Sequence, residues 1–204
     1  MKKLALTFLF VFIGTVALAQ TSFKEGVHYD VVSEKKSDRP MVKEFFSLYC
    51  GHCFQFEPFI DSLQKTLPTE VSFSRSHVDY IPRDNKPVSF GIVKAYNMML
   101  DLDMEKELRQ AFFAAIHLGE EPIDTEEEIK QIFLAHDVEA AKFDKLYNSQ
   151  SVIDRAQAMA DLWVKREISS VPTLVVNEKY KINMGSLKSM AELIEITDFL
   201  LKQQ

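Results

Sequence analysis

The spacing of apolar residues predicts a mixed α/β (α+β) fold in which a helical block interrupts one sheet-forming unit. Three observations carry that expectation. Strand patterns with a helical segment between two of them occupy residues 29–78, helical periodicity alone fills 82–167, and strand patterns return at 173–183 ahead of a last amphipathic helix. The halves before and after the helices need each other to complete a single sheet, a β-α-β half and a β-β-α half. The expected division is therefore residues 20–81 with 168–204 as one domain and 82–167 as a helical domain inserted into it.

The chain begins Met1-Lys2-Lys3, continues with the apolar stretch Leu4 to Ala17, and offers Ala17-Leu18-Ala19 as a small-residue cleavage pattern before Gln20. A charged start, a short apolar centre and a small-residue end predict a secretory signal peptide over residues 1–19, too short to be read as a membrane span. Its removal takes away Lys2 and Lys3 and leaves a chain still more acidic than the −6 of the full 204 residues. No cysteine stands at the cleavage point, which argues against a lipid anchor.

Tyr29-Asp30-Val31-Val32 reads as a short strand, Met41 to Tyr49 as a mostly apolar one, and Val71 to Val78 alternates as a half-buried strand does. Between the last two, Phe56, Phe59, Ile60, Leu63 and Leu67 recur at helical spacing, with Pro68 as the stop and Pro58 expected to kink the helix. Val88 to Leu102 and Met104 to Leu118 are striped helices, the second ended by Gly119. Thr125-Glu126-Glu127-Glu128 has capping-box form and opens the helix Ile129 to Ala135; Val138 to Tyr147 and Val152 to Ile168 follow. Thr173 to Val176, the turn Asn177-Glu178 and Tyr180 to Asn183 read as a hairpin, and Lys188 to Lys202 as the closing helix.

Cys50 and Cys53 are the only cysteines, as Cys50-Gly51-His52-Cys53 at the junction of a strand and a helix. Two thiols at that spacing can close a disulfide on themselves and pass it on. A thiol at a helix N-terminus meets unpaired backbone N–H groups and the positive end of the helix dipole, so Cys50 is expected to be acidic and reactive. Two other uses of the pair stand beside this one. A purely structural bridge would close a loop of only four residues and remove on the order of 2 kcal/mol of unfolded-chain entropy. A zinc site would need two further ligands, and neither a second CxxC nor an HxxxH pair exists; no metal is expected.

Other classes find little support. There is no Lys/Arg-rich face for nucleic acid, and no GxGxxG, P-loop or GxSxG for nucleotide cofactors or serine chemistry. No cofactor is expected. His28, His77, His117 and His136 show no partner pattern and read as surface or packed histidines. The acidic run Glu120 to Glu128 reads as a loop and helix start. Met184 and Met190 could line an adaptable apolar groove or simply pack.

An apolar strand, CxxC opening a helix, a helical insert, and Val171-Pro172 before a hairpin together resemble the thioredoxin fold, and specifically the DsbA family of periplasmic disulfide oxidoreductases. The resemblance includes Glu44-Phe45-Phe46-Ser47 before the cysteines and Cys53-Phe54-Gln55-Phe56-Glu57 after them. It implies that Cys50 and Cys53 are catalytic and form the active-site disulfide. It also implies a buried acid at Glu44 that could take the Cys53 proton through water, the alternative being a solvent-facing carboxylate. Arg75 stands where relatives pair a basic residue with that acid, and is expected to keep it ionised more firmly than a lysine would. Pro172 is implied to be cis, with the Val171 backbone presented to an extended substrate; otherwise it is an ordinary strand-opening proline.

The first intervening position departs from the family, which usually carries proline there. Gly51 is expected to loosen the backbone and to make the disulfide a milder oxidant, while His52, if near the Cys50 sulfur, favours the thiolate and the oxidising direction. The implied role is that of an exported monomer, periplasmic, that donates its disulfide to unfolded exported proteins with free thiols. Reoxidation by a quinone-coupled inner-membrane partner is implied with it. A disulfide isomerase or reductase, which CGHC permits, and a redox-idle peptide-binding chaperone are the rival readings.

Overall fold

The computed structural model describes residues 23–120 and 122–203; the expected signal segment, residues 1–19, lies outside them. Strands β1 (Tyr29–Val31) and β2 (Met41–Phe46), helix α1 (Gly51–Thr66) and strand β3 (Ser72–His77) come first. Helices α2 (Lys86–Asp101), α3 (Glu105–Leu118), α4 (Glu126–Leu134), α5 (Ala140–Tyr147) and α6 (Gln150–Lys165) then run without an intervening strand. Strands β4 (Thr173–Val176) and β5 (Tyr180–Ile182) and helix α7 (Met190–Leu201) complete the described chain.

One five-stranded sheet results, in the order β1-β5-β4-β2-β3. β2 and β3 pair in parallel, as a crossover through α1 requires, and the other pairings are antiparallel. The two halves of the sequence therefore meet twice, at β2–β4 and at β1–β5. Register sets Glu44 of β2 opposite Arg75 on β3 and Leu174 on β4, so a charged pair is built between an inner strand and the edge strand β3.

Local chemistry explains the punctuation. Asn177 and Glu178 take φ of 52° and 54° in the turn between β4 and β5, the left-handed pair that a tight hairpin needs. Thr125 and Glu128 exchange both bonds of the capping box at the start of α4. Gly119 ends α3, but in extended conformation (φ −71°) rather than left-handed; a side chain there would strike the Ala115 carbonyl. Pro58 is taken up inside α1, which continues as one helix to Thr66.

Two apolar cores flank the sheet. One holds Val42, Leu174, Val176 and Ile182 against Ile60 and Leu63 of α1 and Leu193, Ile196 and Leu200 of α7. The other joins Phe45, Phe46 and Val175 to Ile92, Tyr96, Phe112, Phe113 and Phe133 of the helical block. Burial on both faces explains why β2 reads as a run rather than an alternation. The strand end that leads to Cys50 is thereby gripped from both sides.

Candidate active site

Cys50 is the N-cap of α1, in extended conformation (φ −92°, ψ 109°), and its sulfur accepts the backbone N–H of Cys53 at 3.3 Å. Cys50 is half-buried, whereas Cys53 is 1% exposed, and the two thiols are unbridged. Their acidities diverge accordingly. The Cys50 thiol is lowered to about 6, first by a hydrogen bond from the Cys53 thiol, then, against burial, by the backbone N–H groups of Cys53 and His52 and the His52 charge. Burial drives the Cys53 thiol far up, so the inner sulfur keeps its proton while the outer one gives it up.

The expected contributors are thus present, in a different order of weight. The neighbouring thiol leads, and His52, an exposed side chain, acts mostly through its backbone. Gly51 opens the helix, and a side chain at that position would meet nothing nearer than His117 Nδ1 at 4.0 Å. Among the described residues the sulfur takes the Cys53 N–H, not that of Gly51.

Leu48, two residues before Cys50, is fully buried and has both backbone groups engaged by imidazoles. Its N–H donates to His77 Nε2 at 2.9 Å, and its carbonyl accepts from His117 Nε2 at 2.8 Å. His77 Nδ1 then donates to the Val78 carbonyl at 2.7 Å, which fixes a neutral ring; burial lowers its pKa to about 3. His117 also stacks on Phe54 of α1, 5.2 Å between centroids and 10° between planes. Two histidines read as surface or packed residues hold the end of the strand that leads to Cys50.

Beneath Cys53, Glu44 is 0% exposed. Arg75 Nε donates to its Oε2 at 2.7 Å, while Oε1 has no hydrogen-bond partner among the described residues. Arg75 favours the ionised carboxylate by its charge and its hydrogen bond, and burial opposes it. Desolvation outweighs the guanidinium, and the Glu44 carboxyl sits above its ordinary range. Arg75 is shared as well, lying 3.7 Å from Glu57 and 3.4 Å from Glu105, and Arg109 pairs with both of those acids. Three carboxyls and two guanidiniums thus form one cluster, fully buried at Glu44 and partly so at Glu57 and Glu105, in which Glu44 acts on the Cys53 thiol, helping to raise it.

Val171–Pro172 is cis, and the Val171 carbonyl lies 3.4 Å from the Cys50 sulfur. Ile81–Pro82, a second cis bond, was not anticipated. Met184 and Met190 do line a trough, about 220 Å³, with Phe56, Phe59, Leu187 and Leu193. Tyr80 is a further residue absent from the sequence reading: burial first, then the nearby Cys53 and Cys50 sulfurs, push its phenol up to about 12. Of the missed residues, Glu57 carried a signal, being four residues after Cys53 on one helix and so on the same face.

The sequence profile of the DSBA-like thioredoxin domain matches residues 41–195. The thiol:disulfide interchange protein DsbA of Dickeya dadantii is 29% identical, with both chains covered in full. That of Pectobacterium carotovorum is 30% identical over 87% of this chain and 86% of its own. Among solved structures, DsbA of Pseudomonas aeruginosa superposes with a TM-score of 0.78 at 26% identity, covering 88% of this chain and 93% of that one. DsbA of Proteus mirabilis gives 0.76 at 26%, covering 89% and 98%.

Proposed function

The chain belongs to the DSBA-like thioredoxin domain family and is a thiol:disulfide oxidoreductase; from that premise we propose that it works as a disulfide donor to exported polypeptides. The observation that carries the direction is the split between the thiols, Cys50 lowered to about 6 and Cys53 raised. A sulfur content to be a thiolate is a good leaving group, and a dithiol stabilised in that way makes its disulfide a readier oxidant.

The reaction runs in two exchanges. A substrate thiolate attacks the Cys50 sulfur of the Cys50–Cys53 disulfide, an intermolecular S–S bond forms, and Cys53 leaves and takes up a proton. Glu44, with its raised carboxyl below Cys53, supplies that proton through water, and Arg75 orients it. A second substrate thiolate then attacks the substrate's sulfur in the mixed disulfide and Cys50 departs as thiolate. Two electrons have passed from the substrate dithiol to the enzyme. His52 and the Cys53 N–H hold the departing charge, and the Val171 backbone beside Cys50 offers the substrate main-chain contact independent of its sequence.

Residues 20–81 and 168–204 would constitute the catalytic unit, with 82–167 inserted. The succession of α2 to α6 between β3 and β4 supports this division. The signal-like segment at residues 1–19 supports export to the periplasm, where a monomer would be reoxidised by a quinone-coupled inner-membrane partner. Among the described residues no helix is long and apolar enough to cross a membrane. Oxidation of reduced ribonuclease, set against reduction of insulin, tests the role. Cys50→Ser is expected to abolish both activities, and a glutathione titration placing the pair at a strongly negative potential would favour the reductase reading instead.

A further inference from the structure

A cavity of about 360 Å³ opens between the segment that follows β3 and the end of α6, and the exchange mechanism makes no use of it. Ile168 and Ser169 in its wall immediately precede Ser170-Val171-Pro172, the loop whose Val171 carbonyl touches Cys50. Tyr80, across from them, lies close enough to both cysteines to feel their charge. The cavity shares no residue with the methionine-lined trough.

Its chemistry runs against that of the whole molecule. The chain carries a net −6, yet Arg83 and Lys86 rim this cavity, both exposed, and neither enters an ion pair among the described residues. Asp79 is the one carboxylate in the lining, and it is committed to the Trp163 indole N–H at 2.6 Å. Tyr80 and Trp163 stand edge to face, 4.9 Å apart, as an apolar wall. The Tyr80 hydroxyl is shut away from solvent, so the residue offers the cavity its ring.

A guanidinium and an ammonium at the rim of aromatic walls suit a carboxylate on a short apolar stem. A free inorganic anion would leave the aromatic walls unused; a Glu or Asp side chain would cover them. We propose that this cavity is a substrate subsite that takes an acidic side chain from the polypeptide segment flanking the reacting cysteine. The proposal rests on the oxidoreductase reading, because it names a preference of that same reaction.

The test uses the oxidised full-length enzyme and three peptides with one cysteine each, identical except for Glu, Gln or Lys at a position two to four residues from it. Second-order rates of mixed-disulfide formation are read at low salt. The Glu peptide is expected to react about three-fold faster than the Gln peptide and the Lys peptide slower than both, a span set by partly exposed ion pairs. In the double variant Arg83→Gln, Lys86→Gln, whose unfolding midpoint serves as a check on its fold, the Glu-to-Gln ratio is expected to fall to about one. Equal Glu and Gln rates in the parent at every position, or a preference that survives in the double variant, would overturn the subsite. No reaction with any of the three peptides would instead overturn the oxidoreductase reading and the subsite with it.

Discussion

His117, on α3, reaches out of the helical block to the Leu48 carbonyl, 2.8 Å from its Nε2, and so ties that block to the strand end that carries Cys50. A carbonyl accepts only, so Nε2 holds the hydrogen. Replacing His117 by Leu keeps much of the stack on Phe54 and deletes the donor, leaving a buried carbonyl unpaired. The expected cost is about 1–3 kcal/mol in urea unfolding of the dithiol form. An unchanged midpoint would mean the clamp contributes nothing.

The acidity of Cys50 predicts how stability depends on pH. Its pKa falls from 9.0 in a free chain to about 6 when folded, so the folded dithiol binds fewer protons than the unfolded one between those values. Stability from this group is complete above pH 9 and is lost as pH falls towards 6. The disulfide form has no thiol to titrate. The difference in unfolding free energy between dithiol and disulfide forms should therefore move towards the disulfide as pH falls from 9 to 6. Alkylation of Cys50 should show one midpoint near 6, and a midpoint near 9 would remove the basis for the proposed direction of exchange.

Much of this arrangement was legible in the sequence, for identifiable reasons. Cys50-Gly51-His52-Cys53, Glu44 inside an apolar strand, and Thr125 with Glu128 are local patterns in which each residue's neighbours along the chain reveal its environment. His117, Glu105, Arg109 and Tyr80 were not legible in this way. Periodicity says that α3 has a buried face without saying what that face covers. Glu105 and Arg109, at i and i+4, look identical to a solvated helix pair until the tertiary fold lays them beneath α1. The balance at Glu44 was also invisible: the resemblance implies a buried acid beside Arg75, but not that burial outweighs the guanidinium.

Gly51→Pro tests the family's usual residue in this setting. Gly51 is the first helical residue, where proline is favoured, and Cys50 before it is already extended, as a residue preceding proline must be. A Cβ at that position would have His117 Nδ1 as its nearest neighbour, at 4.0 Å, an ordinary contact distance. The substitution should raise stability by about 0.4–1 kcal/mol through the unfolded chain. It should leave the Cys50 titration where it was, because the Gly51 N–H does not hold the thiolate. A large shift in that titration would show that the dipeptide acts on sulfur by a route this geometry lacks.

Glu44→Gln separates stability from chemistry. Because burial raises the Glu44 carboxyl, the folded state prefers it protonated: its favourable contribution exists at low pH and is lost as pH rises through the folded value. Glutamine imitates the protonated form. The variant should therefore unfold at higher urea than the parent at pH 8 and lose that advantage by pH 4. Its attack by substrate thiol should slow by about ten-fold or more, since Cys53 loses its proton source. A variant that gains stability without slowing would leave Glu44 as a structural acid only.

Arg109 is the most exacting part of the buried cluster. It is 2% exposed, lies at hydrogen-bond distance from Glu105 (2.7 Å) and pairs with Glu57, while Arg75 must also serve Glu44. Arg109→Met fills similar space but leaves three carboxyls, Glu44, Glu57 and Glu105, sharing the one guanidinium of Arg75. Breaking such a pair from one side costs about 3–5 kcal/mol, most of it the uncompensated charge left behind. That origin gives the loss a pH signature. Burial already holds Glu105 above its ordinary range, so without Arg109 it should take up a proton readily on acidification, and the deficit should shrink between pH 7 and pH 4. Adding Glu57→Gln should recover part of the loss at pH 7 and little at pH 4. If instead the deficit is the same at both values, the side chain was only packing, and the two acids are held by Arg75 alone.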